Sequence, residues 1–151
     1  MNKTIFYIYT SENNHSNPIT EEQAKEIYSK AKASGIKVID IESEDYPDKL
    51  RLISNPPLVL FAYGDIGLLK LPSIAIVGTR RASPYGRWAA SEIARSVASC
   101  NYVHVSGMAE GIDSAGHISV LEHGGKTIAV LGTGVDICFP KSAFKLYESI
   151  K

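Results

Sequence analysis

SIAIVGTRRASPYG, residues 73–86, decides the fold: a short β-branched run, a glycine turn directly after it, then a helix start. The same design recurs as YVHV (102–105) before SGMAEGID (106–113), and as TIAVL (127–131) before GTGVD (132–136). Apolar runs without alternation are what strands buried on both faces look like, and intervening helices make such a sheet parallel. The carboxyl ends of parallel strands share one edge, and the loops leaving that edge build the ligand crevice. Ser83-Pro84 pairs an N-cap with proline at the first helical position. That helix is expected to run to about Ser99 and to bury Trp88 or Ala89, Ile93 and Val97. Asp113 reads as the N-cap of the next helix, which turns Ile118, Val120 and Leu121 inward and stops at Gly124-Gly125.

Toward the N-terminus, residues 4–9 (TIFYIY) read as a strand and Ser11 to Asn17 as a polar loop. Thr20 with Gln23 three residues on has the spacing of a capping box, opening a helix to about Ala33 that Gly35 stops. Further strands are expected at 36–41 and 58–63, with a short helical turn within 45–55 between them. A last amphipathic segment carries Phe144, Leu146, Tyr147 and Ile150. These elements predict an α/β chain with helices on both faces of a mostly parallel sheet of about six strands. At 151 residues the length suits one domain over 1–151, with a change of role but no boundary near residue 70.

Lys and Arg number 16 and Asp and Glu 16, which excludes a uniformly basic nucleic-acid binder. Residues 1–70 hold 8 basic and 10 acidic side chains and residues 71–151 hold 8 and 6, so the mild positive excess accompanies the glycine loops. Arg80, Arg81 and Arg87 cluster there, as an anionic ligand would require. Cys100 and Cys138 lack metal-type spacing. With no secretory leader or spanning stretch visible, a cytoplasmic location is expected.

Gly78-Thr79-Arg80 joins a turn that a ligand can approach closely to a helix N-terminus and a bidentate cation, a combination suited to phosphate. The spacing is neither a G-x-G-x-x-G dinucleotide fingerprint nor a G-x-x-x-x-G-K-[ST] phosphate loop, so no cofactor is expected. Glu110 and Asp113 have no substrate-orienting partner, and His117, one turn after Asp113, suits a buried Asp–His hydrogen bond. His104 reads as a core residue, and His15 and His123 as loop residues; no metal-ligand spacing appears and no nucleophile has an evident base. A binding protein is expected, not an enzyme.

The series YPDKLRLISNPPLVLFAYGD, IAIVGTRRASPYG, VSGMAEGIDSAGH and GGKTIAVLGTGVDICFP, in order from Tyr46 to Pro140, resembles the DprA/Smf DNA-processing family. Residues 45–140 carry the resemblance, with 1–44 as a strand–helix–strand extension. It implies a Rossmann-like three-layer fold that binds single-stranded DNA without sequence preference in natural transformation and recombination. It further implies homodimerisation and a RecA-type recombinase as partner. Gly78, Thr79 and Arg80 match the family's first loop, whose arginine contacts the DNA backbone. Ser106, Gly107, Gly111 and Asp113 match its second loop, and Gly132, Thr133 and Gly134 its third. Arg81, Ser83 and Met108 are carried with them as nucleic-acid or phosphate contacts, with Asp113 and His117 as structural supports. The sequence departs from the family's Y-P-x-x-N at Phe139 to Ala143, where alanine replaces asparagine, and the family core continues with strands not matched here; either the sequence is a trimmed piece of a longer chain, or it is a short form whose sheet 4–9, 36–41 and 58–63 complete. The alternative is a nucleotide or nucleoside-monophosphate binder or phosphoribohydrolase-like enzyme, although Leu131 to Asp136 lacks the glycine pair and glutamate of that loop.

Overall fold

The computed structural model describes residues 2–13 and 18–151, which form two compact units, Met1–Lys70 and Leu71–Lys151. In the first unit, α1 (Lys3–Asn13) and α2 (Glu21–Ala33) accompany a two-stranded antiparallel sheet of β1 (Lys37–Asp40) and β2 (Val59–Ala62). Between those strands lies α3 (Asp48–Arg51), and a 3-10 turn, Ile66–Lys70, follows β2. Thr20 caps α2 as its spacing predicts: its hydroxyl accepts from the Gln23 amide, and the Gln23 side chain accepts from the Thr20 amide. Tyr46 is buried and donates to the Pro57 carbonyl at 2.7 Å, fixing the approach to β2.

Residues 4–9 are helical, not a strand. The Asn2 carboxamide oxygen caps the first turn by accepting from the Thr4 amide at 2.8 Å. Lys3 and Tyr7, one turn apart, both reach Glu42, while Thr4 donates to Asp40 at 2.7 Å and Ile8 points into the core. Partners at positions 3, 4 and 7 require a period of 3.6, and a strand would send them to opposite faces. Of the expected loop 11–17, residues 11–13 close α1; residues 14–17, with His15, lie outside the described residues. The six-stranded sheet is thereby corrected. Residues 4–9 supply no strand, β1 and β2 pair antiparallel with each other, and only three strands are parallel.

The second unit contains β3 (Ser73–Ala75), α4 (Pro84–Ser99), β4 (Val103–Ser106), α5 (Ile112–Glu122), β5 (Lys126–Ala129) and, after a 3-10 turn, α6 (Phe144–Ile150). The sheet order is β3-β4-β5, parallel throughout, registered Ser73↔Val103 and Val103↔Lys126. α4 starts where Ser83-Pro84 predicts, with the Ser83 hydroxyl accepting from the Gly86 amide. Its inward stripe is small: Ala90, Ala94, Val97 and Ala98 are buried, and Ala94 and Ala98 pack with Val120 of α5 and with Ile76. Ile93, expected inside, is 55% exposed, and of the expected pair Trp88 or Ala89 the indole is 59% exposed and Ala89 half-buried. Alanines let two helices approach closely, and that leaves no room for an indole.

Beneath the helices, His104 of β4 and His117 of α5 are fully buried, their rings edge-to-face at 4.7 Å. The Nδ1 atoms of His104 and His117 lie 2.8 and 2.6 Å from the Thr127 hydroxyl, which itself donates to the His104 carbonyl at 3.2 Å. One hydroxyl can donate once and accept twice. The Thr127 hydroxyl can therefore serve both rings and the strand carbonyl at once, while neither Nε2 has a hydrogen-bond partner among the described residues. The expected Asp113–His117 hydrogen bond is replaced by this triad.

Burial, with the neighbouring His104 ring, pushes His117 down from 6.5 to about 3, against a smaller upward pull from Asp113. Burial also lowers His104. Between pH 6.5 and the folded-state value, the unfolded chain binds the extra proton, so stability is fully present above about pH 6.5 and falls as the pH drops. The expected slope from His117 alone approaches about 1.4 kcal/mol per pH unit. Urea unfolding at about pH 7 and about pH 5 is expected to give a lower midpoint at the acid value. Equal midpoints would contradict a neutral buried pair.

Candidate functional site

The parallel register sends three segments off one edge of β3–β5: a first loop (76–83), a second (106–111) and a third (130–137). They are fastened to each other. The Asp113 carboxylate, buried in α5, accepts from the Gly78 amide of the first loop at 3.3 Å and from the Gly107 amide of the second at 3.1 Å. The Ile112 amide donates to the Thr79 carbonyl at 3.3 Å. The Ser106 hydroxyl donates to the Ile76 carbonyl at 2.6 Å, and the Val130 amide to the Ser106 carbonyl at 2.8 Å, which brings in the third loop. Tyr147 of α6 donates to the Val135 carbonyl at 2.6 Å and steadies that loop from behind.

Asp113 is the second residue of α5, and the cap position belongs to Gly111, with φ of 89°. The expected aspartate cap is thus corrected: an acid so near a helix start suits either position, but here its oxygens face two other loops. A Cβ on Gly111 would lie 2.3 Å from the Thr79 carbonyl oxygen and 2.7 Å from that of Arg80. Backbone rests on backbone there, and φ excludes a side chain independently. At Gly78 the constraint is packing, since an added Cβ would meet the Ile112 side chain at 2.7 Å.

The expected ligand contacts divide by exposure. Gly78, Thr79, Arg80, Arg81, Ser83, Gly107, Gly132, Thr133 and Gly134 are exposed along the edge, while Ser106, Met108 and Gly111 are buried. Met108, at φ of 57°, points its side chain fully inside, and the Ser106 and Ser83 hydroxyls are engaged by their own loop and helix. Asp113 is a loop clamp, and His117 belongs to the buried triad below. Arg80, Arg81 and Arg87 are exposed and form no ion pair among the described residues. The acids of the edge, Glu110 and Asp136, lie by the second and third loops, with Glu110 accepting from Ser142 at 3.4 Å, so positive charge is concentrated at the first loop. No group of three or more metal-ligating side chains occurs among the described residues, and no helix there is long and apolar enough to cross a membrane.

A separate hollow of about 470 Å³ lies between α5 and α6, lined by Ile118, Leu121 and Leu146 with Glu110, Glu122 and Lys145 at its rim. Two carboxylates against one lysine, and no glycine-loop amide, suit it poorly to a nucleotide phosphate. Sequence reasoning missed Trp88, exposed beside Tyr85 in the first turns of α4. The available signal was its i, i+3 spacing from Tyr85, opposite an alanine stripe.

The profile of the family described as DNA recombination-mediator protein A matches residues 37–151. DNA processing protein DprA of Streptococcus pneumoniae is 42% identical over 105 residues, covering 70% of this chain and 37% of the relative. That of Bacillus subtilis is 38% identical over 115 residues, covering 76% and 39%. Among solved structures, S. pneumoniae DprA superposes with a TM-score of 0.72 at 31% identity over 99% of this chain and 59% of its own. A Helicobacter pylori DNA processing protein A, described for its single-stranded DNA binding mode, does so with 0.67 at 30% identity over 76% and 51%. The chain belongs to the DNA recombination-mediator protein A family, DprA/Smf, and spans less than half the length of the two curated relatives.

Gly111→Ala is expected to destabilise the second unit by roughly 3 kcal/mol or more, because both φ and backbone contact forbid the methyl. Gly132→Ala, with nothing within 4 Å of the added carbon, is expected to change stability by less than about 1 kcal/mol. Thermal melts of the two variants beside the parent check this; equal losses would contradict the loop-on-loop contact.

Proposed function

We propose that this member of the DNA recombination-mediator protein A family is a DNA-processing protein that binds single-stranded DNA, without reading its sequence, along the loop edge of β3–β5. The observation that carries the reading is the pair Arg80 and Arg81, exposed and free of ion pairs among the described residues, on the loop that Asp113 clamps. A guanidinium offers a phosphate two parallel charge-assisted hydrogen bonds, and the exposed segments at 78–79, 107 and 132–134 let a phosphate chain approach the backbone. Contacts of that kind do not depend on base identity. The single-stranded DNA binding for which the H. pylori protein is described supports the ligand class.

In this reading Arg80 is the main phosphate contact, with Arg81, Thr79, Gly107 and Gly132 to Gly134 extending the path. Gly78, Asp113, Ser106, Met108 and Gly111 give the edge its shape, and no chemical step is involved. The protein acts in the cytoplasm on strands taken up in natural transformation, works as a homodimer, and passes the strand to a RecA-type recombinase.

Fluorescence polarisation of a labelled oligo-dT is expected to show binding that weakens steeply with salt. Arg80→Ala is expected to weaken it by about 1–3 kcal/mol at unchanged melting temperature. Binding that ignores salt and is displaced by equimolar mononucleotide would overturn the reading in favour of a nucleotide-binding or phosphoribohydrolase-like protein.

A further inference from the structure

α4 opens at the loop edge with two large rings that packing does not account for. Tyr85 and Trp88 lie one turn apart on one helix face, 73% and 59% exposed, with ring centroids 5.7 Å apart and planes inclined at 37°. The helix fills its buried side with Ala90, Ala94, Val97 and Ala98 instead. The Tyr85 hydroxyl has no hydrogen-bond partner among the described residues, so neither ring is fixed by a polar contact. Two adjacent aromatic side chains left in water form a surface that a ligand can desolvate with gain.

The charges around the pair say which ligand. The first turn of α4 carries no acid. Arg80, Arg81 and Arg87 precede and separate the rings in sequence, all exposed and without ion pairs among the described residues. The acid one turn beyond Trp88, Glu92, is held by Arg95. Flat apolar faces within a cationic surround match a polyanion that itself presents flat faces. Unpaired bases have such faces and duplex DNA hides them, so the combination favours a single strand.

We infer that Tyr85 and Trp88 form a stacking platform for unpaired bases of the strand whose phosphates the first loop holds. This rests on the proposed function and adds a second kind of contact: the arginines take the backbone, and the rings take the bases. It also assigns a role to the start of α4, which the loop motifs leave without one.

Trp88 is the chain's one tryptophan, so its emission reports directly on this position. The experiment titrates oligo-dT into the full chain and follows Trp88 emission and the anisotropy of an end-labelled strand together. An abasic strand of equal length serves as a second probe, and sedimentation velocity gives the oligomeric state. Quenching in step with the anisotropy rise is expected with oligo-dT and largely absent with the abasic strand. Tyr85→Ala and Trp88→Ala are each expected to weaken oligo-dT binding about 5- to 100-fold at unchanged melting temperature, and to leave abasic binding nearly as it was. An anisotropy rise with unquenched emission and undiminished affinity in both variants would overturn the platform while leaving the proposed function standing. No anisotropy rise in the parent protein would overturn both. A dimer that Trp88→Ala converts to monomer, with affinity per chain unchanged, would make the rings a self-association surface and also overturn the platform.

Discussion

One buried carboxylate holds the loop edge together. Asp113 accepts from Gly78 on one side and Gly107 on the other, at 3.3 and 3.1 Å, and an ionised acceptor makes such bonds about twice as strong as neutral ones. It stands in the first turn of α5, where the free amides of the helix start carry partial positive charge. The carboxylate is therefore satisfied by helix and loops at once. The placement of Arg80 follows from it: the first loop is held at Gly78 by the acid and supported at Thr79 and Arg80 by the backbone of Gly111. In the proposed function, an arginine so anchored would meet a phosphate with its backbone already ordered, so less conformational entropy would be lost on binding.

Beneath the edge, the same economy of space recurs. The alanine stripe of α4 brings it close to α5, and the fully buried pair His104 and His117 shares one hydroxyl of Thr127. Strand, helix and strand are thereby tied below the loops that leave them. The division of labour is physical: at the edge the buried side chains of Ser106 and Asp113 hold the loops, and the polar groups left exposed, chiefly the arginines of the first loop, are available to a ligand.

The three strand–turn units were legible because short apolar runs and glycine turns follow from short-range chemistry, and the parallel sheet, α4 and α5 appear where those signals put them; burial on both faces holds for β4 but not for β3, an edge strand whose three residues are exposed. Residues 4–9 were not, because a short run of isoleucine, tyrosine and threonine suits either element; Asp40 and Glu42, distant in sequence, decide for helix. At the site, the arginines and glycines could be read from their motifs, whereas Met108 and Ser106 share the same motif and turn inward, a distinction only the left-handed backbone at Met108 and the Ser106–Ile76 contact reveal. Of Trp88 and Ala89, either of which was expected inside, side-chain volume turns the indole out: a stripe of alanines fills the interface.

In the proposed function the three loops act as one surface toward a nucleic-acid strand. Amide NMR of the intact chain, with and without saturating oligo-dT, tests it most directly. The account predicts that the signals of residues 79–81, 107 and 132–134 move together along one binding curve, with those of α5 below Asp113 little changed. Binding that shifts signals only in Met1–Lys70, or in one loop without the other two, would contradict it.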